Sequence, residues 1–185
     1  PAGGWRAAGM GSPALAGGPH RLLSLGSWEL REGTASSTLH LRGLSPEVRL
    51  LIELAQSSLD YQSFDRVRRA ALSDALSWRT SFGRAYDVSG LGIERNLLRH
   101  WAVATHVRVA EGAPLGDLIR VLAAGLVSRA PMTVSTGIVL PPEIVEFLAS
   151  QGVSIALERD NDWLERIAVN GPGYDDVASS RIRLF

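Results

Sequence analysis

Side chains able to do chemistry at neutral pH are few in this chain and widely spaced. The four histidines are His20, His40, His100 and His106. No two stand at i, i+4, and none sits in an HExxH helix of the kind that grips zinc. Each reads as a surface or strand histidine rather than a metal ligand. Cys is absent, which removes a thiolate nucleophile, a thiolate metal site and a disulfide framework together. All 19 basic residues are Arg, so a Schiff-base lysine and a P-loop lysine are excluded. No serine lies in G-x-S-x-G, and a nucleophile elbow has no support. Glu158, Asp160 and Asp162 cluster after an apolar run. At the carboxyl end of a parallel sheet they could hold a cation; a helix cap with two solvated neighbours accounts for them more simply. These spacings supply no catalytic, cofactor-binding or metal-binding residue in this chain.

Two glycine-bearing turns bear on phosphate binding. Gly9-x-Gly11 has no strand before it and no third glycine at the right offset, so it fails as a phosphate-cradling loop. The second is Ala110-Glu111-Gly112-Ala113-Pro114-Leu115-Gly116, between an apolar strand pattern and a helix pattern. A dinucleotide's pyrophosphate needs bare N–H groups there. Glu111 offers an acid instead, and Pro114 lacks an N–H. A Rossmann-shaped domain without a working cofactor site fits this turn best.

The elements that would position these residues follow from hydrophobic spacing. From residue 105 onward, short apolar runs alternate with amphipathic helical patterns, the mark of a parallel sheet covered by crossover helices. The strands read as 105–110, a run ending at Ser135-Thr136-Gly137, the strongly apolar 153–157, and a last, edge-like strand where Ile182 and Leu184 alternate with Arg181 and Arg183. Because Val107 and Val109 alternate with His106 and Arg108, the first of these reads as half-exposed, in tension with the central place that a first strand usually takes. Between the strands, Leu115, Leu118, Ile119, Leu122 and Leu126 form one helical stripe. A second helix begins at Pro141-Pro142-Glu143 and ends at Gly152, and Asp160 caps a third bearing Trp163, Leu164 and Ile167.

Upstream, Ser45 and Pro46 start a helix with Val48, Leu51, Ile52 and Ala55 on one face. Ser63 opens the next, whose inner side runs through Val67, Ala70, Ala71, Asp74, Trp78 and Phe82. Arg66, Arg68, Arg69, Arg79 and Arg84 read as a solvated face balanced by Asp60, Asp65 and Asp74. Residues 38–42 and 97–101 read as short strands. Glycine density over residues 1–33 opposes regular structure there. The expected fold is therefore α/β. It comprises a Rossmann-like, mostly parallel sheet with crossover helices (88–185), a helical hairpin (44–87) and a glycine-rich N-terminal arm (1–43).

Composition narrows the partners. The 185 residues carry 19 basic and 19 acidic groups, a net charge of +0, which suggests neither nucleic acid nor an anionic membrane surface. The five Trp are scattered without interleaved basic residues, against base stacking. At 45% hydrophobic and 21% charged, the chain can bury a core. No apolar run approaches the roughly 20 residues of a membrane span, and no signal segment opens the chain. A reducing, cytoplasmic setting is expected from the lack of Cys. Both ends read as cut, as in a piece of something longer.

Three segments resemble a known family. Pro1-Ala2-Gly3-Gly4-Trp5-Arg6 and Ala16-Gly17-Gly18-Pro19-His20-Arg21-Leu22 are similar to the P-F-G-G-W-K and A-G-G-P-x-Y-L segments of proline utilization A. Gly92-Ile93-Glu94-Arg95-Asn96 is similar to the G-E-R-N that follows a helical insert in its longer members. Ala2, Leu15 and Arg21 depart from the family's Phe, Lys and Tyr. These enzymes are bifunctional, combining proline dehydrogenase with L-glutamate γ-semialdehyde dehydrogenase and using FAD and NAD. The resemblance implies that residues 1–43 are the tail of an aldehyde dehydrogenase module. The rest would be the noncatalytic C-terminal domain, a lid packed on the catalytic modules of the same polypeptide. It further implies that the catalytic cysteine, the general-base glutamate and the flavin barrel lie upstream, and that this chain binds no cofactor itself. Self-association as a homo-oligomer stays open. Two rivals stand beside this reading: an independent nucleotide-binding oxidoreductase domain, and a generic protein-interaction module docking through the hairpin.

Overall fold

Apolar residues at helical spacing account for the first two helices. In the computed structural model, which describes residues 40–87, 89–170 and 181–185, α1 (Pro46–Ala55) buries Val48, Leu51, Ile52 and Ala55 on one stripe. Pro46 suits the first turn because its φ is already helical and its missing N–H would have had no partner. Ser45 precedes the helix as expected, but its side chain caps nothing. Its hydroxyl turns to Glu47, whose carboxyl is held below its ordinary pKa by its own backbone N–H and by Ser45.

The second helix, α2 (Tyr61–Ser77), starts two residues earlier than Ser63. Asp60 is its cap, accepting the Ser63 N–H at 2.9 Å, so the acid expected to balance an arginine face closes the helix end instead. Past Ser77 the chain loosens into a π-turn, Trp78–Phe82. Arg68, placed in a solvated stripe from sequence, is fully buried. Its guanidinium donates to Asp65 Oδ1 (2.6 Å) and to the His40 carbonyl (3.4 Å). A buried arginine persists only when paired in this way. Asp74, the polar residue on the inner side, pairs with Arg120 of the next helix.

Four parallel strands form the main sheet, in the order β5-β4-β3-β6. They are β3 (Thr105–Val109), β4 (Met132–Thr136), β5 (Ser154–Leu157) and β6 (Arg181–Leu184). The connecting helices are α3 (Leu115–Ser128), α4 (Pro142–Ser150) and α5 (Asp160–Asn170). Register sets His106 beside Thr133 and Arg108 beside Ser135 on one face, with Val107 beside Val134 on the other. Crossovers between parallel strands are right-handed almost without exception. Since β3→β4→β5 steps one way across the sheet and β5→β6 returns past β3, α3 and α4 share one face and α5 takes the other.

The face under α3 and α4 carries the core. Leu118, Ile119 and Leu122 of α3 meet Ile144 and Leu148 of α4, Val107 and Val134 of the sheet, and Leu51, Ile52 and Val67 of the hairpin in one cluster. Each such side chain contributes roughly 1.5–3 kcal/mol of transfer free energy before entropy is counted. Helix α4 ends as read from sequence: Gly152 takes φ 76° and Val153 N–H reaches Leu148 O at 3.0 Å, the left-handed cap that favours glycine.

Several strand expectations change. The strand read as half-exposed, β3, is one of the two inner strands, with His106, Val107, Arg108 and Val109 all buried. The strand read as most apolar, β5, is an outer strand with exposed ends. Residues 40–42, the described part of the strand expected over 38–42, are loop and turn. Of residues 97–101 only Leu97–Leu98 form a strand, β2, paired antiparallel with β1 (Tyr86–Asp87). Beyond it the side chains pack on neighbouring rings: His100 stands edge-on to Phe82 at 5.0 Å, and the Arg99 guanidinium lies 4.0 Å from the Trp101 ring. The glycine-rich arm lies outside the described residues up to residue 39. No helix among the described residues is long and apolar enough to cross a membrane.

Candidate functional site

The sheet face beneath α5 is built from polar residues, and its register explains how they meet. His106 and Arg108 stand two apart on β3, Thr133 and Ser135 two apart on β4, and each pair is directly side by side. Alternation puts all four on one face. All four are buried, and Trp163 of α5 lies against His106 and Arg108.

Every polar group there is satisfied by another. His106 Nδ1 lies 2.9 Å from Thr133 Oγ1, while its Nε2 accepts from Trp163 Nε1–H at 3.2 Å. The indole can only donate, so the imidazole is the neutral tautomer with its proton on Nδ1. The two rings lie parallel, with centroids 6.3 Å apart. Burial is the main reason the His106 pKa falls to about 4, reinforced by the nearby charges of Arg166 and Arg108 and opposed by Glu158.

Arg108 is the hub on the next row. It donates to Ser135 Oγ at 2.6 Å and to the Glu158 carbonyl at 3.1 Å, and pairs with the Asp160 carboxylate. Its guanidinium also sits 5.4 Å from the Trp163 ring centroid. The Ser135 hydroxyl donates in turn to Glu158 Oε1 at 2.6 Å, and Arg166 holds the same carboxylate at 2.9 Å. The chain Arg108–Ser135–Glu158–Arg166 alternates cation, hydroxyl, anion and cation. Such an arrangement fixes geometry and leaves no nucleophile exposed: the Ser135 hydroxyl is enclosed and already donates to a carboxylate.

The turn from β3 to α3 sits at the carboxyl end of the sheet, where open α/β sheets bind ligands. Here it is closed by the chain's own groups. Glu111 N–H points at the Asp160 carboxylate (3.3 and 3.4 Å), and Asp160 N–H points back at Glu111 Oε2 at 3.5 Å. Gly137, at the end of β4, presses on the same turn: a Cβ there would stand 2.7 Å from Glu111 N. Gly116, in the first turn of α3, is buried against Ser63 and Arg66 of α2, and Asp117 beside it pairs with Arg66 at 2.9 Å. The amides that would face a pyrophosphate thus lie among two carboxylates, a proline and a neighbouring helix.

The acidic cluster expected at Glu158, Asp160 and Asp162 is real in position but not free to hold a cation. Glu158 pairs with Arg166, Asp160 with Arg108, and Asp162 with Arg159. Glu158 is no solvated neighbour, and Asp160 is the first residue of α5, its carboxylate spent on β3. Among the described residues, no group of three or more His, Cys, Asp and Glu is placed to hold a metal. The histidines separate: His106 is buried in the network, His100 is exposed, His40 contributes its carbonyl to Arg68, and His20 lies outside the described residues. Arg108, Ser135, Trp163 and Arg166 were not marked from sequence as a site. The signal for Arg108 and Ser135 is the doubled polar–x–polar pattern on adjacent strands, His106/Arg108 and Thr133/Ser135; nothing comparable marks Trp163 and Arg166 on α5.

No protein-family model, curated protein or solved structure matches the chain.

Proposed function

We propose that the chain is a Rossmann-like domain that has given up nucleotide binding and serves as a noncatalytic lid. Its setting would be a cytoplasmic, bifunctional, proline-oxidising enzyme, packed on that polypeptide's own catalytic modules. The motifs at Gly3-Gly4-Trp5, Gly17-Gly18-Pro19 and Glu94-Arg95-Asn96 motivate the parent. The strand order β5-β4-β3-β6 supports the Rossmann-like description, since it is the order of one mononucleotide-binding half and its following strand.

One observation carries the noncatalytic part: the reciprocal clasp between Glu111 and Asp160 across the β3–α3 turn. A bound diphosphate would meet two carboxylates and would have to break the Arg108–Asp160 pair. That interaction is largely buried on the arginine side, and breaking such a pair leaves an uncompensated charge.

The test is a thermal-shift titration with NAD, NADP and FAD. A ligand at a hundred times its dissociation constant adds roughly 2.7 kcal/mol of stability, a readily measured rise in Tm. No rise is expected with any of the three, together with no NAD-dependent oxidation of L-glutamate γ-semialdehyde. A rise with NAD would favour the second reading, an independent nucleotide-binding domain, which the same strand order recommends. The lid role itself is checked by capture of separately produced catalytic modules on the immobilised chain; failure of capture would remove it.

A further inference from the structure

Among the described residues strand β6 is the outermost on one side of the sheet, and hydrogen-bond parity decides which of its residues face outward. Phe185 gives its N–H to Arg108 O and accepts from Ala110 N–H, each at 3.0 Å. Along a parallel strand, residues bonded to one neighbour alternate with residues turned to the other side. Arg183 therefore faces β3, while the N–H and C=O of Ile182 and Leu184 point away from it. No described strand lies beyond them.

The same two residues carry exposed apolar side chains, 44% for Ile182 and 61% for Leu184. Register places them on the face of His106 and Arg108. The other face presents Arg183, exposed and in contact with the Phe185 ring at 5.4 Å. Beside Arg183 runs a groove of about 560 Å³, walled by Val121, Ala124 and Gly125 of α3 and floored by Thr105 and Val107. Asp117 and Arg120 on its rim are already paired with Arg66 and Asp74, whereas no described carboxylate pairs with Arg183. Edge strands are normally blunted by charge, proline or a bulge; here the outward backbone groups and the apolar side chains coincide.

The geometry points to β6 as a docking edge for an extended segment of a partner protein in which apolar and acidic residues alternate. Such a segment continues the sheet through the backbone of Ile182 and Leu184, the mode known as strand addition. Its apolar residues cover Ile182 and Leu184, and its acids face Arg183 at the mouth of the groove. Charge selects this occupant over a second copy of the chain. Antiparallel pairing of two β6 strands, with Ile182 opposite Leu184, sets Arg183 opposite its own copy, and like charges directly opposite are unfavourable. This inference stands apart from the lid reading, using only the sheet edge and its charges.

The experiment uses the full chain and labelled peptides of about eight residues, one alternating Val and Glu and one alternating Val and Arg. The chain is expected to bind the acidic peptide in preference to the basic one. Arg183→Glu is expected to reverse the order, moving each affinity by about threefold to tenfold. On the unmodified chain, amide exchange at Ile182 and Leu184 should slow when the acidic peptide is added, while Phe185, already bonded to Arg108, stays as it was. Equal binding of both peptides, binding of neither, an unchanged preference in Arg183→Glu, or protection elsewhere would each overturn the proposal. So would protection of Ile182 and Leu184 in the peptide-free chain together with a dimer in sedimentation, which would give the edge to a second copy.

Discussion

At the scale of the residue, His106 is the group whose chemistry the fold has changed most. Three charged groups act on it: Arg108 from its own strand, Glu158 from the end of β5, and Arg166 from α5, while Asp160 of α5 is paired with Arg108. Nε2 accepts the Trp163 N–H, so a proton arriving there displaces that hydrogen bond and adds a cation beside two arginines. Burial lowers the pKa from 6.5 to about 4. The sign follows. The unfolded chain takes up the proton near its ordinary pKa and the folded chain does not, so the fold holds its full stability above 6.5 and loses it as pH falls towards 4. The loss is on the order of 3 kcal/mol over that window. Urea unfolding of the wild type and of His106→Asn at stepped pH checks this. The variant should be less stable at neutral pH and should show a flatter dependence between 6.5 and about 4; parallel curves would refute the role given to His106.

At the scale of the element, the β3–α3 turn and the end of β4 are fitted to one another through Gly137. A Cβ at that position would meet Glu111 N at 2.7 Å, Cγ at 2.8 Å and Cα at 3.0 Å. Two of these are backbone atoms, so the turn itself must move. Gly137→Ala should cost about 1–3 kcal/mol, the usual range for overpacking a closed site, and should loosen the Glu111–Asp160 clasp. Its measure is the midpoint of chemical denaturation together with amide exchange at Glu111; a midpoint equal to wild type would mean that the turn shifts freely. The same elements show what could be read beforehand. Helices α1, α3 and α4 were legible because period-3.6 stripes such as Leu118, Ile119 and Leu122 bury against any apolar partner. Strand β3 was read as half-exposed because alternation reports polarity, not burial, and the apolar run at β5 did not reveal its outer place in the sheet. His106 and Arg108 look solvent-facing until Thr133, Ser135 and Trp163 arrive from other parts of the chain to satisfy them. The acid in the β3–α3 turn was visible from sequence, but its partner Asp160 is 49 residues away and no local pattern connects the two.

At the scale of the whole molecule, the hairpin and the sheet share a single hydrophobic cluster. Val48, Leu51 and Ile52 of α1 and Phe64 and Val67 of α2 are packed with Leu118, Ile119 and Leu122 of α3. Of the two ion pairs described across this junction, Asp74–Arg120 is partly buried and Arg66–Asp117 is the more exposed. Arg66 and Asp117 are 57% and 37% exposed at the side chain, and exposed ion pairs contribute about 0–1 kcal/mol. Removing the hairpin would uncover the outer side of α3, where each apolar side chain is worth roughly 1.5–3 kcal/mol. A domain's whole stability is only about 5–15 kcal/mol, so losing several such contacts exceeds what a four-stranded sheet with three helices can spare. Residues 88–185 alone should therefore lack a cooperative urea transition, whereas Asp117→Asn in the full chain should shift stability by less than about 1 kcal/mol. A sigmoidal transition with native-like circular dichroism in the truncated piece would mean that the sheet forms its own core and that the helical hairpin is an appendage. A large loss in Asp117→Asn would mean instead that the charged tie, not the apolar contact, holds the two layers together.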